Sequence, residues 1–238
     1  MFPSLWKRLC QECPEVWTSV VDLLFPRVCV VCENSLVRGE KYLCTSCLAD
    51  FPFTEAAYDD GENLLKHFDA AFRPEKLYAL FYYNKYDVYK KLIYCIKYHS
   101  YKQLAFYLGQ LLGEHIPDTC KADVIVPIPL HPRRLRERGY NQTLEIARGI
   151  ARVLPLEILD DVVVRTRNNV SQTGKNASER LKNVQDIFQL KNPQKIIGKH
   201  VLLVDDVITT GATIGSCLQV LAQAGNVRFS LGCLARTL

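Results

Sequence analysis

Two adjacent carboxylates, followed closely by threonines and a glycine, are the residues of this chain best suited to hold a phosphorylated sugar. Asp205 and Asp206 close the apolar run Val201-Leu202-Leu203-Val204 and open Val207-Ile208-Thr209-Thr210-Gly211-Ala212-Thr213. The run has strand character, and a helical pattern from Ile214 to Ala224 follows it. The two acids can accept hydrogen bonds from vicinal sugar hydroxyls. Thr209 to Thr213 can turn N–H groups and hydroxyls toward an anion, where the helix N-terminus adds positive potential. Gly211 has no Cβ and lets the backbone approach closely. An Asp N-cap at the end of a buried strand would need far less than this. The segment is neither a Walker loop nor a G-x-G-x-x-G turn.

A second candidate segment also leaves an apolar strand. Val124-Ile125-Val126 runs into Pro127-Ile128-Pro129, then into Arg133, Arg134, Arg136 and Arg138, with Asn141 and Gln142 at the next helix start. Guanidinium groups grip phosphate oxygens in bidentate fashion, so Arg133, Arg134, Arg138, Asn141 and Gln142 read as an anion-facing loop. A solvated basic helix face is the alternative. Residues 165–183 are polar and basic, with almost no core residues, and fit either a lid over a ligand or disorder. Lys97 ends a helical pattern, where it could reach phosphate or simply complement the helix dipole.

Cys29-x2-Cys32 and Cys44-x2-Cys47, separated by eleven residues, match a four-thiolate zinc site whose metal replaces a core too short to form. The expected role is structural. Cys10-x2-Cys13 is a third pair with no fourth partner in view, and reads as structural on a helical pattern.

The elements that must position these groups follow from periodicity. Residues 1–24 carry apolar groups at helical spacing, interrupted by Pro14, and predict an amphipathic segment. Residues 25–53 hold the knuckles, and 54–74 read as a polar connector with a short helix. Residues 75–238 alternate strands near 77–83, 123–126, 156–164, 186–190, 201–204 and 227–235 with helices at 87–98, 101–115, 140–154 and 214–224. That alternation predicts a largely parallel sheet with flanking helices, whose ligands sit beyond the carboxyl ends of the strands.

Composition is that of an ordinary globular protein: 238 residues, 48% hydrophobic, 23% charged, net charge +5. No apolar run reaches spanning length, and charges break any signal-peptide core, so no membrane span and a cytoplasmic location are expected. In that compartment ten cysteines point to metal ligands and buried thiols rather than disulfides.

Taken together, the knuckles, Ile96-Lys97-Tyr98, Val126 to Leu130, Arg138-Gly139-Tyr140-Asn141-Gln142, Gln172 with Arg180 and Asn183, and Leu202 to Thr213 resemble the ComF family of competence-associated proteins. The match runs from about Leu24 to Arg236. Within it, the acid pair and its loop resemble the 5-phosphoribosyl-1-pyrophosphate (PRPP) loop of type I phosphoribosyltransferases. The resemblance implies an α/β fold: a type I phosphoribosyltransferase-like parallel sheet with flanking helices over 75–238, behind a small N-terminal zinc ribbon. It also implies DNA uptake in some members, beside a DNA-translocating helicase. Two departures, Asn169 and Thr173-Gly174-Lys175, fall in the lid segment.

Two functions follow. One is a PRPP-binding, magnesium-dependent phosphoribosyltransferase, with Asp205 and Asp206 on the ribose hydroxyls and metal. Val207, Thr209, Thr210, Gly211, Ala212 and Thr213 would hold the 5-phosphate, and the arginines the departing pyrophosphate, with Gln172, Arg180 and Lys97 near the lid. A complete glutamine amidophosphoribosyltransferase is not expected, since residues 1–74 are too few for a glutaminase domain. The other function is a non-catalytic adaptor in DNA uptake that binds single-stranded DNA or a helicase. Stacking aromatics would favour direct DNA binding, and near the arginines the sequence offers Tyr140 alone.

Overall fold

The computed structural model describes residues 26–54, 61–84, 86–166 and 187–237. The expected N-terminal helix, Cys10 and Cys13, and the lid positions Gln172, Arg180 and Asn183 lie outside these. The chain divides into two compact units, one ending at Phe51 and the other beginning at Pro52.

In the first unit the chain makes two knuckles and one short helix, α1 (Thr45–Ala49). Val28 and Ser35 form an isolated antiparallel bridge around the first knuckle. Glu40 fixes the connector between knuckles: its carboxylate accepts from the N–H of Val37 at 2.8 Å and of Thr45 at 2.6 Å.

The second unit is built on a five-stranded parallel sheet in the order β1-β7-β6-β2-β3. The strands are β1 (Leu77–Tyr83), β2 (Val124–Pro127), β3 (Glu157–Ile158), β6 (His200–Ile208) and β7 (Arg228–Thr237). Two further strands, β4 (Val163–Arg165) and β5 (Phe188–Leu190), pair antiparallel outside this sheet. The strand expected near 156–164 is therefore two strands serving two sheets.

Val201, Leu202, Leu203 and Val204 are all at most 1% exposed, as a strand covered on both faces requires. β6 runs four residues beyond that apolar stretch. β7 stays in register beside it through Asp205↔Cys233 and Ile208↔Arg236, so the acids lie within the strand instead of after it.

The helices are α2 (Gly61–Lys66), α3 (Lys90–Tyr98), α4 (Lys102–His115), α5 (Pro132–Arg138), α6 (Gln142–Val153) and α7 (Ala212–Leu221). α5 occupies part of the expected anion loop. Pro132 starts it, His131 Nδ1 accepts from the Arg133 N–H, and Gly139 closes it at φ 76°. Residues 61–72 are more than a polar connector. Leu65 and Phe68 enter the core beneath α7, because their apolar groups have no other cover.

α4 and α6 pack together on one face of the sheet, burying Leu104, Leu108 and Leu112 against Ile146 and Ile150. Tyr101 is the N-cap of α4 and stays exposed. The two helix backbones nearly touch at Gly109 and Gly149. A Cβ on Gly149 would lie 2.2 Å from the Phe106 carbonyl oxygen. Helix propensity alone would make Gly149→Ala stabilising by about 1 kcal/mol. Overpacking against rigid backbone reverses the sign, with an expected loss of about 1–3 kcal/mol or more. Urea denaturation of the full chain measures it, and an unchanged or raised midpoint would contradict this account of the helix pair.

Candidate functional site

The chain leaving β2 turns to β3 on one side, while β6 leads to β7 on the other. The crevice between the carboxyl ends of β2 and β6 is thus a topological switch point, where connecting loops diverge and leave room for a ligand. A cleft of about 360 Å³ opens there. Asp205, Asp206, Val207, Thr209 and Thr213 line it from β6 and its loop, Arg134 and Arg138 from α5, Gln142 from α6, and Lys97 from α3.

Consecutive residues of a strand project to opposite faces. Asp206 points to the helix-pair face, where both carboxylate oxygens are engaged. Lys97 Nζ lies 3.2 Å from Oδ1, and Gln142 Nε2 donates to Oδ2 at 2.9 Å. Asp205 is on the α7 side, and its Oδ1 accepts from the Asp206 N–H at 2.8 Å. Burial and then the neighbouring charge of Asp206 push the Asp205 carboxyl up to about 7, against the pull of that N–H, Lys97 and Arg165.

Gln142 is 2% exposed, and its Oε1 has no hydrogen-bond partner in the structure, a buried acceptor facing the cleft. Arg165, which the sequence marked only as the start of the lid segment, also lines the cleft. It comes from β4, its guanidinium lies 5.5 Å from the Phe188 ring, and its buried Nε has no hydrogen-bond partner.

The α5 helix explains which arginines reach the cleft. Residues four apart share a helix face, so Arg134 and Arg138 line it together. Arg133 lies outside the lining and pairs with Glu137 at 2.9 Å on the exposed side. Asn141 is also outside: its Nδ2 donates to the Ile128 carbonyl at 3.3 Å, and its Oδ1 accepts from Thr143 Oγ1 at 2.8 Å. It holds the loop shut behind the cleft. Tyr140 donates to the Ile96 carbonyl at 2.5 Å and ties α3 to the start of α6.

Beside the main cleft, residues 207–214 and Asp205 enclose a smaller hollow of about 50 Å³ at the N-terminus of α7. Thr210, Gly211 and Ala212 belong to it. Gly211 sits at φ 73°, and a Cβ there would come within 3.0 Å of the Phe68 ring, so both backbone and packing call for glycine.

The aromatic surroundings are richer than the sequence suggested. Besides Tyr140, Tyr98 on α3 lies 5.8 Å from the Arg138 guanidinium. That contact joins residues forty positions apart, which linear spacing could not reveal.

In the first unit the ligand atoms of Cys29, Cys32, Cys44 and Cys47 all lie within 4.8 Å of one another. Tetrahedral zinc–sulfur bonds of about 2.3 Å set sulfurs about 3.8 Å apart, so the donor set fits that ion. The Cys44 N–H points at Cys29 Sγ at 3.4 Å, and the Cys47 N–H at Cys44 Sγ at 3.5 Å. Burial raises the Cys29 thiol, but N–H groups of Cys32, Cys44 and Val31 outweigh it and bring it down to about 7.

Comparison with known proteins is consistent with both units. The phosphoribosyl transferase domain model matches residues 141–237, and the double zinc ribbon domain model matches 20–58. DNA utilization protein YhgH of Escherichia coli (strain K12) is 30% identical over 223 residues, covering 89% of this chain and 91% of that one. Competence protein F of Haemophilus influenzae is 26% identical over 222 residues, covering 87% and 96%. Among solved structures, adenine phosphoribosyltransferase from Leishmania donovani matches at 13% identity and TM-score 0.37, covering 77% and 82%. The allosteric regulatory enzyme of purine biosynthesis matches at 21% and 0.37, covering 53% of this chain and 25% of that one. At those scores the structural matches carry no argument. The sequence matches do: the chain belongs to the ComF family of competence and DNA-utilization proteins, a four-cysteine zinc ribbon joined to a phosphoribosyltransferase-type domain.

Proposed function

We propose that the cleft binds PRPP as its magnesium complex, in a cytoplasmic protein that serves DNA uptake. One observation carries the reading. The acid pair, Thr209, Thr213 and four cationic side chains (Lys97, Arg134, Arg138 and Arg165) share a single cleft, with the hollow of the Thr-Gly loop beside it. PRPP is a diol flanked by a phosphate and a pyrophosphate, and asks for that combination.

Asp205 and Asp206 would accept from the ribose hydroxyls, with Asp206 held in place by Lys97 and Gln142. The N–H groups and hydroxyls of residues 209–213 would take the 5-phosphate at the start of α7. Arg134 and Arg138, joined by Arg165, would hold the pyrophosphate and stabilise the charge that builds on it as its bond to the ribose C1 breaks. Magnesium would supply further neutralisation of the pyrophosphate; the two carboxylates and Gln142 Oε1 are the hard oxygen donors it prefers. An acceptor nucleophile attacking C1 would complete such a transfer as pyrophosphate leaves. The zinc ribbon is structural in this reading, since all four positions of a tetrahedral ion are met by cysteine.

Asp205 allows binding and stability to be separated. A carboxyl raised in the folded state binds protons more tightly there than when unfolded. It therefore costs no stability below the unfolded value near 4, and the cost grows as pH rises through about 7. Asp205→Asn should raise the melting temperature of the ligand-free protein at pH 8 and leave it unchanged near pH 4. The double variant Asp205→Asn, Asp206→Asn should lose PRPP binding in a calorimetric titration with magnesium, while circular dichroism shows a folded chain. Undiminished affinity in that titration would remove the PRPP assignment.

The ribbon gives a separate expectation. Cys44→Ser should lower zinc content measured by elemental analysis and increase proteolysis within residues 26–51, while PRPP binding persists because the second unit has its own core. Full zinc occupancy in a variant with all four cysteines changed to serine would place the ion elsewhere.

A further inference from the structure

We propose that Lys97 is a built-in cation of the cleft. It takes the cation's place on Asp206 while no ligand is bound, so that magnesium enters only together with the anion that carries it. The proposal rests on the magnesium–PRPP reading above and deepens it, by assigning the order in which ion and ligand arrive.

Two adjacent carboxylates at the end of a strand are hard oxygen donors of the kind divalent cations take. Gln142 adds a third oxygen. The residue is 2% exposed, its Nε2 donates to Asp206, and the Oε1 of the same amide has no hydrogen-bond partner. A bare ion would therefore meet a partly made site. Lys97 changes that, because its Nζ lies 3.2 Å from Asp206 Oδ1. Its side chain is only 24% exposed, although it stands in the last turn of a surface helix. A lysine there complements the helix dipole from solvent without folding inward. Its ammonium is strongly hydrated, so bringing it onto Asp206 costs hydration and side-chain freedom that α3 itself does not require.

The backbone that bears the ammonium is fixed on both sides. Tyr140 Oη donates to the Ile96 carbonyl at 2.5 Å, and Ser100 Oγ to the Arg138 carbonyl at 3.2 Å. A group tethered in this way meets its partner at an effective concentration of about millimolar or more. Free magnesium dehydrates reluctantly and is usually held by one or two carboxylates plus substrate phosphates. Carboxylates alone give it little advantage over a lysine already in place. The other walls act in the same direction. Arg134, Arg138 and Arg165 line the cleft with Lys97, against two carboxylates, so the cleft attracts an anion and repels a bare divalent cation. A pyrophosphate brings negative charge and phosphate oxygens together, and that combination admits the ion.

The test titrates manganese(II) alone, a divalent ion that shares magnesium's preference for carboxylate oxygens and whose binding electron paramagnetic resonance reads directly. The full chain is used, with its ribbon loaded with zinc and no PRPP present. Wild type should bind the ion weakly. Lys97→Met should bind it about tenfold more tightly or better. Lys97→Gln should do the same, and it keeps an N–H donor for Asp206 in case the methionine variant does not fold. Adding Asp206→Asn should abolish the gain, and Lys97→Arg should behave as wild type because the charge remains. Manganese should also raise the melting temperature of Lys97→Gln and leave that of wild type unchanged. A lysine that only stabilised the fold, or only held phosphate, would leave manganese binding the same in every variant. The proposal is overturned by wild-type binding as tight as that of the neutral variants, or by no gain in either of them. A gain that survives Asp206→Asn, or an equal gain in Lys97→Arg, overturns it as well. PRPP is absent throughout, so failure here is separate from failure of the PRPP titration.

Discussion

The engagement of Asp206 by Lys97 and Gln142 ties the second unit together at its functional end. A carboxylate at the tip of a central strand, buried beside a second carboxylate, is tolerable only if its charge is met. Lys97 meets it from the last turn of α3, and Gln142 from the first turn of α6. Three elements distant in sequence therefore converge on one carboxylate. The same constraint explains why Gln142 is buried and why Tyr140 anchors the approach to α6 on the backbone of α3. Asp205 lies on the other face, where burial and then the charge of Asp206 raise its carboxyl above the usual carboxylate range.

Much of this arrangement is legible in the amino-acid sequence. The buried run at 201–204 and the acids after it mark the central strand and its functional end, because a continuous apolar run bounded by chemistry is a strong local signal. The cysteine spacing marks the thiolate cluster, since both knuckles are local. Features that depend on assembly are not legible in this way. α5 is signalled in principle by Pro132 and Gly139, but the density of arginine suggests a loop. Once it is helical, Arg133 and Arg134 must diverge, and spacing alone cannot choose which faces the cleft. Arg165 and the Tyr98–Arg138 contact reach the site through tertiary packing, and no linear pattern records that. Leu65 and Phe68 look like part of a connector because the acidic stretch before them dominates the local composition.

The helix pair α4–α6 shows a different kind of specificity. Glycines that weaken each helix individually are kept where the two backbones meet, so close packing there outweighs local propensity. This places α6, and with it Gln142, at a fixed height above the sheet. In the first unit Glu40 plays the corresponding part, joining Val37 to Thr45 so that the second knuckle starts from a set position.

Phe68 bears on how this protein can be dissected. Its ring packs against Gly211 and Gly215, beneath the loop that follows the acid pair, yet it precedes the first strand of the sheet. A fragment trimmed to begin at β1 would keep every strand and every cleft-lining side chain. It would nevertheless lose the floor on which the Thr-Gly loop rests, so an excised domain meant for crystallisation or ligand screening has to start upstream of α2.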